Sequence, residues 1–565
     1  MLSSCTLPSS PDPEFAIDSA LLNINLPPAS GNYSLWAQSS ECYKCQLMSI
    51  CDFANGATKL LVNTTFETSI EIRNSNGTFC FASPIHFGEK GQYNLSAAGG
   101  SCLISEIKAP VNSFLPIYWA CLFFLLLAVV YRIGLFGFNR YRKSAKNTIH
   151  IEKQSQADGS DAAPKKKRKR LRSLDTFRGM CMWIVVFVNY GGGSYWFFDH
   201  SDWNGLTLAD LVFPWFMFIM GTSMALSFDS LARNKVPVKP MLVKIFRRSI
   251  ILFLLGVFIK NNGLNKKWWG TVRVMGVLQR FAIAYLFLAV MSLLTLKTAD
   301  KIRQRRDNAT FIKAALADIL AYWINYVVIA VLTLVWCLIF FLVPAPGCPA
   351  GYLGPGGLSE GGNYWNCTGG ITGYIDLKVF GRAHIYGFPT SEVLYNTSMP
   401  FDPEGLLGCL TSILTVFLGF QAGQILLIYQ KPKDRLIRLL FWAVLYGLIS
   451  GALCGFSQNE GVLPVNKNLW TPSFATVLAS LGYFIIIIFY IIIDELELWQ
   501  GEPFYFVGMN SLIIYLGHGI FGQYLPVQWT VGDDHASKLY MHIWGACFWT
   551  IVAYLMHLQK YYFSI

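Results

Sequence analysis

Charge is scarce in this chain. Lys, Arg, Asp and Glu together make up 14% of its 565 residues, while 53% are hydrophobic, too little polarity to clothe a water-soluble protein of this length. Amphipathic spacing is missing as well: the apolar residues run in long uncharged blocks, which excludes a soluble helical fold and predicts a polytopic all-α membrane protein. Residues 1–20 lack the apolar core of a cleavable signal peptide, so the expectation is that the first span directs export or that the natural start lies upstream. Nor does any repeated hydropathy pattern relate two halves of the chain, as it does in many transporters.

What is present is a series of spans. The stretches 111–131, 211–228, 319–343, 405–429 and 469–493 each reach the roughly 18 apolar residues expected of a crossing helix. Weaker ones, interrupted by polar residues, fall at 174–190, 246–262, 274–296, 439–456, 504–522 and 540–558, for a total of about eleven transmembrane helices.

A net charge of +12 would suggest nucleic acid in a soluble protein, and Lys165-Lys-Lys-Arg-Lys-Arg170 alone resembles a nuclear import signal. In a membrane protein Lys and Arg collect on the cytosolic flank, so membrane lipid and no nucleic acid is the expected partner. With 140–172 cytosolic, alternation places the basic connections 233–248, 297–313 and 431–438 on the same side. The acidic connection 494–502 falls there too, and acidic residues weigh little in this rule. The N-terminus is then extracytosolic and the C-terminus cytosolic. The chain divides into a glycosylated β-sandwich-like domain at 1–110, a first transmembrane helix at 111–138, a basic cytosolic linker at 139–172, and a domain of about ten helices at 173–565 with an outer loop at 344–404.

Both outer segments carry secretory chemistry. Glycosylation sequons stand at Asn32, Asn63, Asn76 and Asn94 in the first and at Asn366 and Asn396 in the second; Asn308 is a further match expected to be cytosolic and silent. Cys5, Cys42, Cys45, Cys51, Cys80 and Cys102 fall in the first segment, and Cys348 and Cys367 share one short Gly-rich loop, which makes them the clearest disulfide pair. Cys42-Tyr-Lys-Cys45 with Cys51 is also compatible with zinc or redox work, but no histidine-rich motif follows it, so no metal site is expected.

Polar residues at the span ends carry the candidate chemistry. On the cytosolic side, Arg170-Leu-Arg-Ser-Leu-Asp-Thr-Phe-Arg-Gly179 reads equally as a helix start capped by Ser173 or Asp175 and as an anion site built by Arg172 and Arg178. Arg247 and Arg248 can complete such a site. Arg280 lies within a span, where a charge needs a partner or a wet cavity; pairing with Asp210 and contact with a ligand are both open. At the outer ends stand Asn189, Asp199, His200, Asp202, Trp203, Asn204, Asp210, Asp402, Glu404, Asn459, Glu460, Lys467, Trp470 and His518. Carboxylates and amides beside exposed tryptophans suit sugars and amines, although each alone also reads as a cap or a solvated loop residue. In the loop 189–205, His200 reads either as an interfacial histidine in an aromatic belt or as a base, with Asn189 as a carbonyl-polarising donor.

Taken together, Asn189-Tyr-Gly-Gly-Gly, Phe198-Asp-His200, Trp203-Asn-Gly-Leu-Thr, Ala209-Asp-Leu-Val-Phe-Pro-Trp, Val277-Leu-Gln-Arg280, Cys348-Pro-Ala-Gly-Tyr-Leu-Gly-Pro-Gly-Gly357, Asp402-Pro-Glu-Gly405, Asn459-Glu-Gly461, Pro464-Val-Asn-Lys-Asn-Leu-Trp470 and Gly508-Met-Asn-Ser511 resemble the heparan-alpha-glucosaminide N-acetyltransferase family of lysosomal transmembrane enzymes. The resemblance covers nearly everything from Arg170 onward; before that it rests mainly on the Cys-rich, glycosylated character. It implies transfer of acetyl from cytosolic acetyl-CoA to the terminal non-reducing glucosamine of heparan sulfate in the lysosomal lumen, with His200 as the active-site histidine and Asn189 beside it. It further favours a coenzyme A phosphate site at the arginines and implies a homodimer; the candidate acetyl-CoA contacts are Arg172, Arg178, Arg247, Arg248 and Arg280, and the candidate acceptor contacts, chosen by their outer-face placement, are Trp203, Asn204, Asp210, Asp402, Glu404, Asn459, Glu460 and His518. In an acidic lumen a histidine of ordinary pKa, about 6.5, is largely protonated, so either role for His200 calls for burial or a neighbouring cation. Base catalysis in a ternary complex is preferred to an acetylated histidine. Two other classes, a transporter and a glycan-binding receptor without transferase activity, are the alternatives.

Overall fold

A computed structural model describes residues 15–27, 32–53, 57–75, 77–98, 100–150, 170–261, 269–304 and 316–563. The Asn76 and Asn308 sequons, Cys5 and Lys165 lie outside the described residues.

The N-terminal segment is all β. Strands β1 (Ser19–Asn25), β2 (Tyr33–Ser39), β3 (Met48–Phe53), β4 (Ala57–Asn63), β5 (Thr68–Asn74), β6 (Gly77–Ile85), β7 (Gln92–Ala98) and β8 (Ser101–Lys108) join in the order β3-β2-β5-β6-β8-β7-β1-β4. Where a sandwich suggests two separate sheets, the strands form one eight-stranded sheet, with β6 and β8 meeting through the single pair Phe81 and Ser101. Alternation puts Leu22, Ile24, Leu35, Leu60, Val62, Ile70, Ile72 and Leu95 into one core. The Cys80–Cys102 disulfide ties β6 to β8 beside that single pairing, and Cys42 is bonded to Cys45 rather than held for a metal.

Helix α1 (Leu115–His150) leaves this domain for the membrane. The long helices that follow are α2 (Arg172–Asn189), α3 (Leu208–Arg233), α4 (Val238–Lys260), α5 (Val277–Gln304) and α6 (Trp323–Leu342). After them come α7 (Gly370–Phe380), α8 (Leu407–Ile428), α9 (Pro432–Cys454), α10 (Pro472–Phe489), α11 (Phe504–Met509), α12 (Ser511–Phe521) and α13 (His535–Leu558). Eight helices among the described residues are long and apolar enough to cross a membrane, fewer than the expected eleven. The difference has a local cause. Arg172, Asp175 and Arg178 charge the first half of α2, Lys239, Lys244, Arg247 and Arg248 charge α4, and the apolar run 504–522 breaks at Asn510 into α11 and α12.

Helix α8 lies at the centre of the bundle, buried over 94% of its apolar window. It meets α3 backbone to backbone: a Cβ on Gly419 would come within 1.9 Å of the Phe218 carbonyl, and one on Gly221 within 1.9 Å of the Val416 carbonyl. Without a hydrophobic drive between helices in lipid, such close approach supplies the association. The pair is what holds the N-terminus of α3, and with it Asp210, at a fixed depth.

Candidate active site

The first turn of α2 is capped from outside itself. Asp494 accepts from the backbone N–H groups of Arg172 and Ser173, at 3.1 and 3.2 Å, satisfying donors that the helix leaves open. This is not the cap expected from Ser173 or Asp175. Asp175 is instead buried between Arg170 and Arg178, at 2.7 and 3.2 Å. Arg178 also donates to Ser223 of α3 at 2.7 Å, and Arg248, well inside α4 rather than in a connection, lies over the Tyr285 ring at 4.7 Å.

Arg170, Arg178 and Arg248 line one end of a cavity of about 960 Å³. Its middle is walled by Met182, Val185, Phe213, Phe216, Met220 and Phe281, and its far end by His200, Arg273, Tyr386, Thr390, Glu404 and Lys467. Three of the five arginines that the resemblance pointed to are not on this wall. Arg172 turns to Gln500 and the Tyr505 ring, and Arg247 does not line it. Arg280 is 1% exposed, donates to the Gly405 carbonyl and lies over the Trp470 ring, so the expected pairing with Asp210 does not form.

His200 is held by a constellation drawn from three segments. Its Nδ1 is 2.8 Å from Asp210 Oδ1. Asp210, 1% exposed, occupies the first turn of α3 in a capping box with Thr207; its other oxygen accepts from Ser201 N, Thr207 N and Thr207 Oγ1. Lys467 Nζ lies 2.8 Å from Nδ1 and 3.1 Å from Nε2 of the ring, and 3.3 Å from Asp210. The cation beside the ring is therefore Lys467, and the carboxylate at the ring is Asp210. Lys467 is placed by Asn466, whose Nδ2 donates to Trp203 O and Asn204 Oδ1 while its Oδ1 accepts from Leu469 N. Upstream, Gly193 is clamped by two histidines of α13: its N–H donates to His542 Nδ1 at 2.8 Å and its carbonyl is 2.9 Å from His535 Nδ1. Gly191, Gly192 and Gly193 all take positive φ, which explains the glycine run before the histidine.

Several expected acceptor residues are engaged elsewhere. Asp402 and Glu404 both hold Arg273, whose Nη2 is 2.6 Å from Asp402 and 2.5 Å from Glu404. Burial works against the Arg273 charge, but the two carboxylates outweigh it and raise its pKa. Trp203 and Trp470 are buried rather than exposed, at 2% and 0%; the Trp203 indole donates to Leu353 O. Asn189 Nδ2 lies 2.9 Å from His518 Nε2, on the cavity wall but turned to His518 rather than to His200. Glu460 accepts from Tyr43 of the β-domain, and Asn204 donates to Asn459.

A second cavity, of about 850 Å³, opens on the other side of His200. The β-domain forms one wall through Gln38, Glu41 and Phe66; the membrane domain forms the other through Trp196, Asp199, Asp202, Trp203 and Asn204. His200, Tyr386 and Thr390 line both cavities. Tyr386 and Thr390 are held by Tyr386 N donating to Asp402 Oδ2 at 3.2 Å and Thr390 Oγ1 donating to Asp202 O at 3.0 Å, and the expected Cys348–Cys367 disulfide is present earlier in the same outer segment. Burial pushes the Asp202 carboxyl up to about 6, and nearby Asp199 adds to the shift. Lys467 was one of many outer-end polar residues, and Arg273, Tyr386 and Thr390 had no local sequence signal; only the fold brings the four to the wall that His200 shares.

A histidine between a carboxylate and an ammonium, with an arginine-ended cavity on one side and an open cleft on the other, defines a membrane-embedded enzyme of the acyl-transfer class. No family model matches the chain. It is 38% identical to human heparan-alpha-glucosaminide N-acetyltransferase over 593 aligned positions, and 36% identical to the mouse enzyme of the same name over 594. Each alignment covers 98% of this chain and 89% of the relative. The chain belongs to the heparan-alpha-glucosaminide N-acetyltransferase family, and it is an N-acetyltransferase.

Proposed function

We propose that the protein acetylates the amine of the terminal non-reducing glucosamine of heparan sulfate in the lysosomal lumen, using acetyl-CoA from the cytosol. The observation that carries this reading is the position of His200 at the wall common to both cavities. The β-domain and the cleft face the lumen, and Arg170, Arg178 and Arg248 face the cytosol, in keeping with the charge asymmetry of the connections.

The residues fit the donor. Guanidinium groups suit phosphate oxygens, and the apolar middle of the larger cavity suits a narrow, uncharged arm, so that only the acyl end need reach His200. Acetyl-CoA supplies the activated thioester carbonyl. On the protein side, Nδ1 of His200 donates to Asp210 and Nε2 takes a proton from the attacking amine; as the C–S bond of the thioester breaks, that proton passes to the departing coenzyme A thiolate. Lys467, beside the ring, stands ready to stabilise negative charge as it builds on the carbonyl oxygen. Deprotonation in a ternary complex is favoured over acetylation of His200 itself, because the Asp210 carboxylate at Nδ1 is placed to stabilise the imidazolium that proton transfer forms.

Purified protein supplied with labelled acetyl-CoA and glucosamine tests the reading. Wild type transfers the label; His200→Ala does not, and Asp210→Asn loses on the order of 10² to 10⁴ in kcat, the range for a misoriented base. Labelled protein accumulating to stoichiometry without acceptor would instead show the acetyl-histidine route.

A further inference from the structure

The cleft is much larger than the acetylated sugar needs. A space of about 850 Å³ is in the range that holds a drug-sized ligand, about 300–1,000 Å³, and an aminosugar ring is far smaller. Its charged lining is Glu41, Asp199 and Glu392 around His200, with Asp202 held by burial toward its neutral form, and no Lys or Arg among the described residues lines it. An ammonium group is drawn into such a site and a sulfate is kept out, so the amine end points inward and the remaining sugars run outward between the two domains.

At that outward path sits an unusual side chain. Trp196 stands four positions before His200 and is 47% exposed, although large aromatics are normally covered. It sits in the short turn Trp196–Phe198, and Phe66 of the β-domain tilts against it with ring centroids 5.2 Å apart. Both rings line the cleft, as does Gln38 of β2. Rings contributed by two domains match the apolar face of a pyranose, and Gln38, whose Nε2 donates to Cys42 O at 3.4 Å, lines the same cleft with its amide oxygen as an acceptor for a hydroxyl.

We propose that Trp196, Phe66 and Gln38 form a subsite for the sugar that follows the acetylated glucosamine, so that the β-domain selects saccharide chain ends over free aminosugar. This rests on the acceptor assigned above. The test uses the full chain in detergent with two acceptors, free glucosamine and an unsulfated trisaccharide ending in glucosamine. Trp196→Ala and Phe66→Leu lower the ratio of kcat/KM for trisaccharide to that for glucosamine by about tenfold, as expected for one lost ring contact. The loss falls in KM, not kcat, and Trp196→Phe restores most of it. Equal losses on both acceptors, or a loss confined to kcat, would overturn the subsite. Wild-type protein that acetylates neither acceptor would overturn the assigned reaction instead.

Discussion

A single histidine is reached by three distant parts of the sequence, and this decides how much of the site could be read in advance. His200 and Asn189 stood out because each is a polar residue at the edge of an apolar run, and Asp210 because it opens a span. Their relationships were not legible. Lys467, separated from His200 by 267 positions, looked like any polar residue of an outer loop, and Asp402 and Glu404 looked like free carboxylates until Arg273 was found between them. Periodicity reports which face is buried, and it is silent on which buried polar groups meet. Asp202 gives a residue-scale prediction. Its carboxyl, pushed by burial to about 6, favours the protonated form in the fold. That contribution is fully present below the ordinary Asp value of about 3.9 and is lost as pH rises through about 6. The thermal midpoint of wild type should therefore rise on acidification from pH 7 to pH 5, and Asp202→Asn should flatten the rise. A variant with an unchanged slope would remove Asp202 from the account.

At the scale of elements, apolar length identified the uniform spans well and the charged ones poorly. Helix α8 was plain in sequence, whereas α2 and α4 carry Arg178 and Arg248, which line the arginine end of the larger cavity; the same charges dilute their hydropathy. The break between α11 and α12 is a matter of backbone at Asn510, and no count of apolar residues reveals it. The contact between α3 and α8 is likewise invisible without coordinates, since glycines 221 and 419 acquire meaning only when seen opposite carbonyls. Gly419→Leu should push the two helices apart and cost about 1–3 kcal/mol or more of stability. Because α3 carries Asp210, activity should fall even in the fraction that stays folded; a thermal midpoint within a degree of wild type would argue against this packing role.

For the molecule as a whole, the proposed function assigns the arginine-ended cavity to the donor and the two-domain cleft to the acceptor. Arg178→Ala with Arg248→Ala should raise KM for acetyl-CoA by about tenfold or more, since hydrogen bonds to charged groups are worth about 1.5–3 kcal/mol each, while KM for the acceptor changes much less. An unchanged KM for acetyl-CoA would rule out the arginine end as its phosphate site. The division into a β-domain and a helical membrane domain was evident from composition. The way the β-domain sits over His200 was not, because its contacts, such as Lys44 with Glu360 and Asp18 with His535, join residues hundreds of positions apart.

The cavity walled by Met182, Val185, Phe213, Phe216, Met220 and Phe281 has a consequence for the membrane itself. About 30 Å of hydrocarbon keeps two aqueous compartments apart, and here the side chains of His200, Tyr386 and Thr390 stand between this cavity and the two-domain cleft. A narrow apolar passage resists wetting and so blocks hydrated ions without a moving gate. Six apolar side chains in the middle of the cavity thus disfavour hydrated ions there, so that an opening between two polar ends need not be a route for them.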